Sequence, residues 1–295
     1  MLRPILKIIV TVIVFNKKVI DSVTLSTLCK FPTNFKLVII NNGPDIIKLD
    51  NYELRDNINS IDLINCIENR PLSFLYNSVF SNYSEADCFI FFDDDTIVPE
   101  NYFIFNDGDD EKFDLMIPMI IDVVTNKIRY PVVNGEIVNT EENKIFAEKD
   151  SYISIGSGLV IFNKLVSKIN KRYGTVFDER FALYGVDYSL FRRIDGLKKE
   201  GIPIRCKLKG NIRHDLSGSQ KNIPKWRYQE RLIDNVLTCK YYSNSAARRI
   251  LKLSKIFFVE FLKLNFSNMS IICSVYFKGH HPRCVNHSSL DKVEY

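Results

Sequence analysis

Phe89-Ile90-Phe91-Phe92-Asp93-Asp94-Asp95-Thr96-Ile97-Val98-Pro99 sets three consecutive carboxylates at the end of an unbroken apolar run. Cys88–Phe92 reads as a strand buried on both faces, because apolar side chains fill every position instead of alternate ones. Three adjacent carboxylates repel one another, and holding them at the end of a buried strand is costly unless a cation sits there. A hard divalent ion with oxygen ligands, Mg²⁺ or Mn²⁺, shared with substrate phosphates, compensates them. The competing reading is a solvated acidic loop that caps the next element.

Outward from this stretch, the N-terminal third alternates β-branched runs with helical patterns, which predicts a parallel sheet flanked by helices. The other strands fall at Ile8–Phe15, Lys36–Asn41 and Ser60–Ile64, and helices at Val19–Cys29 and Pro71–Ser81. Pro71 suits a first helical turn, where its missing N–H costs little. Asn16 follows the first strand, Asn41-Asn42-Gly43-Pro44 the second and Asp93-Asp94-Asp95 the fourth. Ligands of open α/β sheets bind at the carboxyl ends of strands, so these clusters converge on one crevice. Further on, the sequence predicts apolar runs at Leu115–Ile121 and Tyr152–Phe162, a polar looped region over 122–150, a helix at Val186–Lys199 and a strand at Ile202–Cys206.

The chain has 295 residues, 46% of them hydrophobic, which excludes disorder as the dominant state. Its net charge of +5 is too small to imply nucleic acid. The distribution is uneven: Lys198 to Lys263 holds 16 Lys+Arg against 5 Asp+Glu, a local +11 that leaves −6 elsewhere. Seven cysteines, an odd number without a C-x-x-C pair and mostly in apolar surroundings, fit reduced thiols in a cytoplasmic protein. The run Ile5–Phe15 contains Lys7, is shorter than the roughly 20 residues of a membrane span and is followed by no small-residue cleavage site, so it reads as a buried strand.

Two further constellations carry chemistry. Val176 to Arg193 places Asp187 at a loop-to-helix junction, where it either caps the helix or aims its carboxylate into a cleft; the two roles are compatible. Ile212-Arg213-His214-Asp215 puts a histidine after a short strand. Beyond about Lys221 the pattern is helical. Within Ser245–Phe266, Arg248, Lys252, Lys255 and Lys263 share one face while Leu251, Ile256, Phe258, Leu262 and Phe266 occupy others. This basic amphipathic helix either lies in an anionic membrane interface or packs on the main domain.

Taken in order, these pieces resemble the family 2 glycosyltransferases of GT-A fold, especially their bacterial rhamnosyltransferase-like members. The pieces are Phe15-Asn16 ending the first strand, Val38-Ile39-Ile40-Asn41-Asn42-Gly43, Glu68-Asn69-Arg70 followed by Asn77, Asp93-x-Asp95, Ser157-Gly158, Phe177-Asp178-Glu179 with Asp187 and Arg192, and His214. They span Ile8 to Ser219, three quarters of the chain. The resemblance implies a Rossmann-like α/β mixed sheet flanked by helices, with a catalytic domain over 1–220 and a basic helical extension over 221–295. Within the domain, 1–100 would bind the nucleotide sugar and 101–220 the acceptor.

By the same resemblance, Asp93 would contact the donor ribose with Asp94 beside it, and Asp95 the metal, Mg²⁺ or Mn²⁺. Phe15, Asn41 and Asn42 would lie against the base, Arg70 near the phosphates, Asp187 would be the base that activates the acceptor, and His214 would reach the metal or diphosphate. Two positions depart from the family pattern: Val186 replaces the acidic partner before the base, and Asn41-Asn42 the usual Asp of the second-strand loop. The implied partners are a UDP- or dTDP-sugar donor and a lipid-linked oligosaccharide or glycan acceptor. The implied location is cytoplasmic, peripheral on the inner face of the plasma membrane.

Three rival readings remain at this level. Asp93-x-Asp95-x-Ile97, with Gly108-Asp109 and Asp114 downstream, approximates a haloacid dehalogenase-type phosphatase. A sugar-nucleotide or glycan-binding relative without turnover would share the fold. His280, His281, Cys284 and His287 gather four zinc-ligand types near the C-terminus, although two are adjacent and poorly spaced for a tetrahedron.

Overall fold

The computed structural model describes residues 6–30, 33–49, 58–105, 112–140, 144–216 and 223–285. Its centre is a mixed nine-stranded sheet in the order β3 (Ile58–Asn65), β2 (Thr33–Asn41), β1 (Ile8–Val14), β4 (Cys88–Asp93), β11 (Val160–Phe162), β6 (Leu115–Asp122), β12 (Cys206–His214) and β5 (Thr96–Ile97), with β7 (Ile128–Tyr130) paired to β6. β1, β2, β3 and β4 are parallel neighbours. β11 runs antiparallel between β4 and β6; β12 lies parallel to β6, and the short β5 closes the edge against β12.

Alternate residues of the central strands feed two cores. Ile9, Ile13, Phe89 and Phe91 pack on one face with α2 (Leu72–Asn82) and α4 (Val186–Lys199), while Val10, Val12, Ile90 and Phe92 pack on the other with α1 (Val23–Leu28). Burial on both faces is why the strands read as continuous apolar runs. α3 (Asn163–Tyr173) follows β11 directly, and a small second sheet combines β8 (Val132–Val133), β9 (Glu136–Ile137) and β10 (Tyr152–Ile153). Three helices follow, α5 (Lys225–Tyr242), α6 (Ala246–Leu262) and α7 (Phe266–Lys278). Leu232, Val236, Ile272 and Val275 join the same core as α2 and α4.

Several sequence expectations are corrected. The strand expected at Ile202–Cys206 begins where that range ends. Cys206–His214 alternates apolar and polar residues, and Lys207 and Lys209 are buried, their ammonium groups over the rings of Phe113 and Phe105. The helix expected at Val19–Cys29 is a 3₁₀ turn, Val19–Asp21, and then α1, because the Ser22 hydroxyl accepts the Leu25 N–H and starts a new helix. The region 122–150 holds β7 (Ile128–Tyr130), β8 and β9 as well as loops. The run Tyr152–Phe162 is two strands separated by Gly156-Ser157-Gly158, and Ser245–Phe266 is interrupted after α6 because Asn265 caps α7 through the Asn268 N–H.

Asp178 joins three parts of this framework. Its carboxylate accepts hydrogen bonds from Arg180 Nε at 2.7 Å and Tyr242 Oη at 2.6 Å, and its N–H donates to Ser189 Oγ of α4. Burial pushes the Asp178 carboxyl up, but these donors and Arg193 outweigh it and hold the pKa below the ordinary value. We expect Asp178→Ala to lower unfolding free energy by about 2–4 kcal/mol, since it strands donors beside a buried site. Urea denaturation checks this; a loss under 0.5 kcal/mol, the scale of an ordinary surface change, would contradict it.

Candidate active site

β4 ends at Asp93, and the chain turns through Asp94 and Asp95 into β5. The Thr24 hydroxyl donates to the Asp93 carbonyl and accepts the Thr96 N–H, so α1 clamps this turn. β5 pairs with the end of β12 in the register Thr96 to His214, which brings together residues 118 positions apart. Sheet topology thereby sets a histidine beside the carboxylates.

The three carboxylates separate. Asp94 turns to Lys17, with Nζ to Oδ1 at 2.7 Å. Asp93 and Asp95 face His214: Nε2 lies 3.6 Å from Asp93 Oδ2 and Nδ1 lies 3.2 Å from Asp95 Oδ1. Thr96 Oγ1 bridges His214 Nδ1 at 2.9 Å and Ser157 Oγ at 2.7 Å, and Ser157 Oγ accepts the Asp93 N–H. One ligand atom each from Asp93, Asp95 and His214 falls within 4.8 Å of the others. Asp95 Oδ1 is buried without a hydrogen-bond partner among the described residues. Burial pushes the Asp95 carboxyl up to about 6 against the pull of His214, and burial likewise raises Asp93. Two carboxylates and an imidazole, with one buried oxygen unmatched, fit a hard or borderline divalent cation.

Across the same cleft, of about 840 Å³, lies Asp187 in the first turn of α4. Gly185 occupies the N-cap position with a left-handed backbone, so Asp187 is not the cap. It accepts the Gly156 N–H, and a Cβ on Gly156 would come within 2.5 Å of Asp187 Oδ1. Burial, reinforced by the charge of Asp93, pushes the Asp187 carboxyl up to about 7. A carboxylate poised there exchanges protons near neutrality.

Asp93, Asp95, Asp187 and His214 line this cleft, whereas Phe15, Asn41, Asn42, Arg70 and Asp94 fall outside its lining. Phe15 is 47% exposed at the end of β1. Asn41 and Asn42 are buried and engaged internally: Asn41 donates to the Asp45 carbonyl and to Asn65, while Asn42 exchanges two bonds with the Arg70 backbone. Their side chains shape the loop that carries Arg70, whose Nε pairs with Glu68 at 3.3 Å. Residues with no motif to announce them also enter the cleft. Tyr130 and Tyr188 share a hydroxyl hydrogen bond of 2.8 Å, and α5 contributes Arg231, Asp234 and Asn235. Asp234 is pushed up to about 6 by burial, opposed by the Thr238 hydroxyl and Arg192.

Among the described residues, neither the phosphatase-like nor the zinc constellation assembles. Asp114 lies at the amino end of β6, away from the strand ends that carry Asp93, in an ion pair with Lys168 at 2.6 Å. Gly108 and Asp109 fall outside the described residues. His281 uses both ring nitrogens, Nε2 with Glu230 and Nδ1 with the Arg283 N–H, and His287 falls outside the described residues.

No family model and no curated protein sequence matches the chain. Among solved structures, the chain is similar to GalNAc-T7, crystallised with UDP, GalNAc and Mn²⁺, at 13% identity and a TM-score of 0.52, over 90% of this chain and 58% of that one. It is also similar to S. aureus TarS at 14% identity and a TM-score of 0.47, over 87% of this chain and 44% of that one. A TarS fragment spanning 1–349, in complex with UDP-GlcNAc, aligns at 12% identity and a TM-score of 0.49, over 95% and 83%. The chain spans less than two thirds of GalNAc-T7 and less than half of the longer TarS chain. Its mixed sheet with flanking helices is the GT-A fold.

A carboxyl with a raised folded-state pKa binds more protons folded than unfolded, so its contribution to stability falls as pH rises from about 4 to 7. In chelator-treated protein, Asp187→Asn should therefore gain on the order of 1–3 kcal/mol at pH 8, with the gain shrinking toward pH 4. Thermal melts across this range check it; equal stability of the two proteins at pH 8 would contradict the assignment.

Proposed function

We propose that the chain is a metal-assisted, inverting glycosyltransferase of family 2, rhamnosyltransferase-like type. It would move a sugar from a UDP- or dTDP-sugar to a hydroxyl of a growing surface glycan, such as an O-antigen or capsule, carried on a lipid at the cytoplasmic face of a membrane. The observation that carries this reading is the shared cleft: a proton-accepting carboxylate and a cation-competent group line one cavity on the GT-A fold.

Asp95 and His214 would hold Mg²⁺ or Mn²⁺, with Asp93 beside them and toward the donor ribose. When bound, the ion neutralises charge that builds on a departing diphosphate. Asp187 takes the proton of the acceptor hydroxyl, whose oxygen bonds to the anomeric carbon as the bond to the diphosphate breaks and its electron pair leaves with the diphosphate. Attack on the face opposite the leaving group gives inversion, as in single-displacement hydrolases. Phe15 would lie against the base, on the loop framework that Asn41 and Asn42 brace. Arg70 would meet the phosphates, and Asp94 with Lys17 would stand beside the donor. Asp234, Arg231 and Asn235 fit the acceptor side.

A panel of UDP- and dTDP-sugars, assayed for nucleoside diphosphate release with and without Mn²⁺, tests the reading. One donor should turn over with Mn²⁺ and stop with chelator, and Asp95→Ala should abolish both turnover and metal-dependent donor binding with the fold intact. Full activity in chelated protein would contradict the metal assignment. Asp187→Asn should keep donor binding and lower transfer by about 10²- to 10⁴-fold, and wild-type transfer should rise with pH over a range below about 7, since a cation beside Asp93 offsets part of what raises Asp187. Near-wild-type transfer by Asp187→Asn would remove the base.

A further inference from the structure

The exposed apolar surface of α6 and α7 calls for a partner. Leu253, Ile256 and Phe257 turn α6 toward the core, but Ile250, Leu251, Phe258, Phe261 and Leu262 are exposed. Their helical spacing gathers them into one outward strip. Leu264 and Phe266 at the α6–α7 turn are exposed as well, the latter at 68%, and Phe277 of α7, at 80%, lines one trough with Phe258 and Phe261. Between the two helices runs an apolar trough of about 920 Å³ floored by Phe257, Ile272 and Tyr276. An exposed apolar surface this continuous marks a binding face.

Charge selects the occupant. On α6, Arg248, Lys252 and Lys255 fall three to four positions apart, on the strip beside the apolar one. From Ala246 to Lys278 there are 6 Lys+Arg and 1 acidic residue, Glu260. Glu260 is buried and held by the Tyr228 hydroxyl and by Asn268 Nδ2 at 2.6 Å. The helical pair therefore presents cations and apolar side chains outward, with no exposed carboxylate. A second copy of the chain placed face to face would bring like charges together. An anionic lipid surface satisfies both strips at once, headgroups against the cations and acyl chains against the phenylalanines. No helix among the described residues is long and apolar enough to cross a membrane, which leaves the interface.

We propose that α6 and α7 form a lipid-interface anchor that inserts Phe258, Phe261, Leu264 and Phe266 into an anionic leaflet, with Arg248, Lys252 and Lys255 on the headgroups. The surface, not the reaction assigned above, carries this inference. It takes up the first of the two expectations of the sequence and joins it to the second, since one face of α6 packs inward while a second apolar face stays outside.

Co-sedimentation of the full chain with vesicles of equimolar phosphatidylglycerol and phosphatidylcholine, and with phosphatidylcholine alone, tests it at low and high salt. The wild-type chain should partition onto the anionic vesicles. Phe258→Ser/Phe261→Ser should weaken binding by about tenfold or more at either salt concentration. Lys252→Ala/Lys255→Ala should weaken it by about tenfold at low salt, with the difference closing at high salt as screening grows. All four positions are exposed or rim the trough, and unchanged melting temperatures would verify folding. Wild-type protein that stays in the supernatant with anionic vesicles at low salt would overturn the proposal. So would binding indifferent to the phenylalanine pair, or a solution dimer that this pair disperses while vesicles capture nothing.

Discussion

Repulsion between Asp93 and Asp95, fixed two residues apart at the end of a buried strand, is the constraint on which the site depends. Left alone, such carboxylates would unravel the turn or take up protons. The fold restrains them through several contacts that meet at this point. Thr24 clamps the turn from α1, Lys17 draws Asp94 aside, Ser157 holds the Asp93 N–H, and pairing of β5 with β12 sets His214 against both remaining carboxylates. The compensation is incomplete. Asp95 keeps a buried oxygen that accepts no hydrogen bond among the described residues and a pKa near 6, an arrangement that a cation would complete.

The same charge reaches across the cleft. Asp93 adds to the burial that raises Asp187, so a bound cation beside Asp93 would lower the pKa of Asp187 and leave more of it ready to accept a proton. In the proposed reaction, loading the donor side would thus prepare the acceptor side. Gly156 lets the Asp187 carboxylate sit close against the backbone, because a side chain there would displace it. These groups are held in costly states relative to an unfolded chain, the usual exchange of stability for chemistry at functional sites.

The parallel half of the sheet was legible in the sequence because burial on both faces leaves an unbroken apolar signal, as in Cys88–Phe92. β12 was read only in part, as a strand ending at Cys206 and a short strand before His214, for the opposite reason: its lysines interrupt the pattern, yet their stems are buried and their ammonium groups sit over aromatic rings. The acidic turn and Asp187 stood out as residue types in suggestive places, but the step from motif to site required topology. Nothing local in Thr96 or Ser157 shows that they bridge to His214, and Asp234 sits in a helix that reads only as part of a basic tail. Asn41 and Asn42 show a second use that the sequence does not display: beside any contact with a ligand at the strand end, both amides hold the loop.

In the proposed function, Asp93, Asp95 and His214 would together form one divalent-cation site at the end of β4. Electron paramagnetic resonance of Mn²⁺ titrated into the chain with UDP present tests it most directly. The wild-type chain should bind Mn²⁺ stoichiometrically, and both Asp95→Ala and His214→Ala should lose affinity by a large factor. Equally tight Mn²⁺ binding by those two variants, or none by the wild-type chain with UDP, would contradict it.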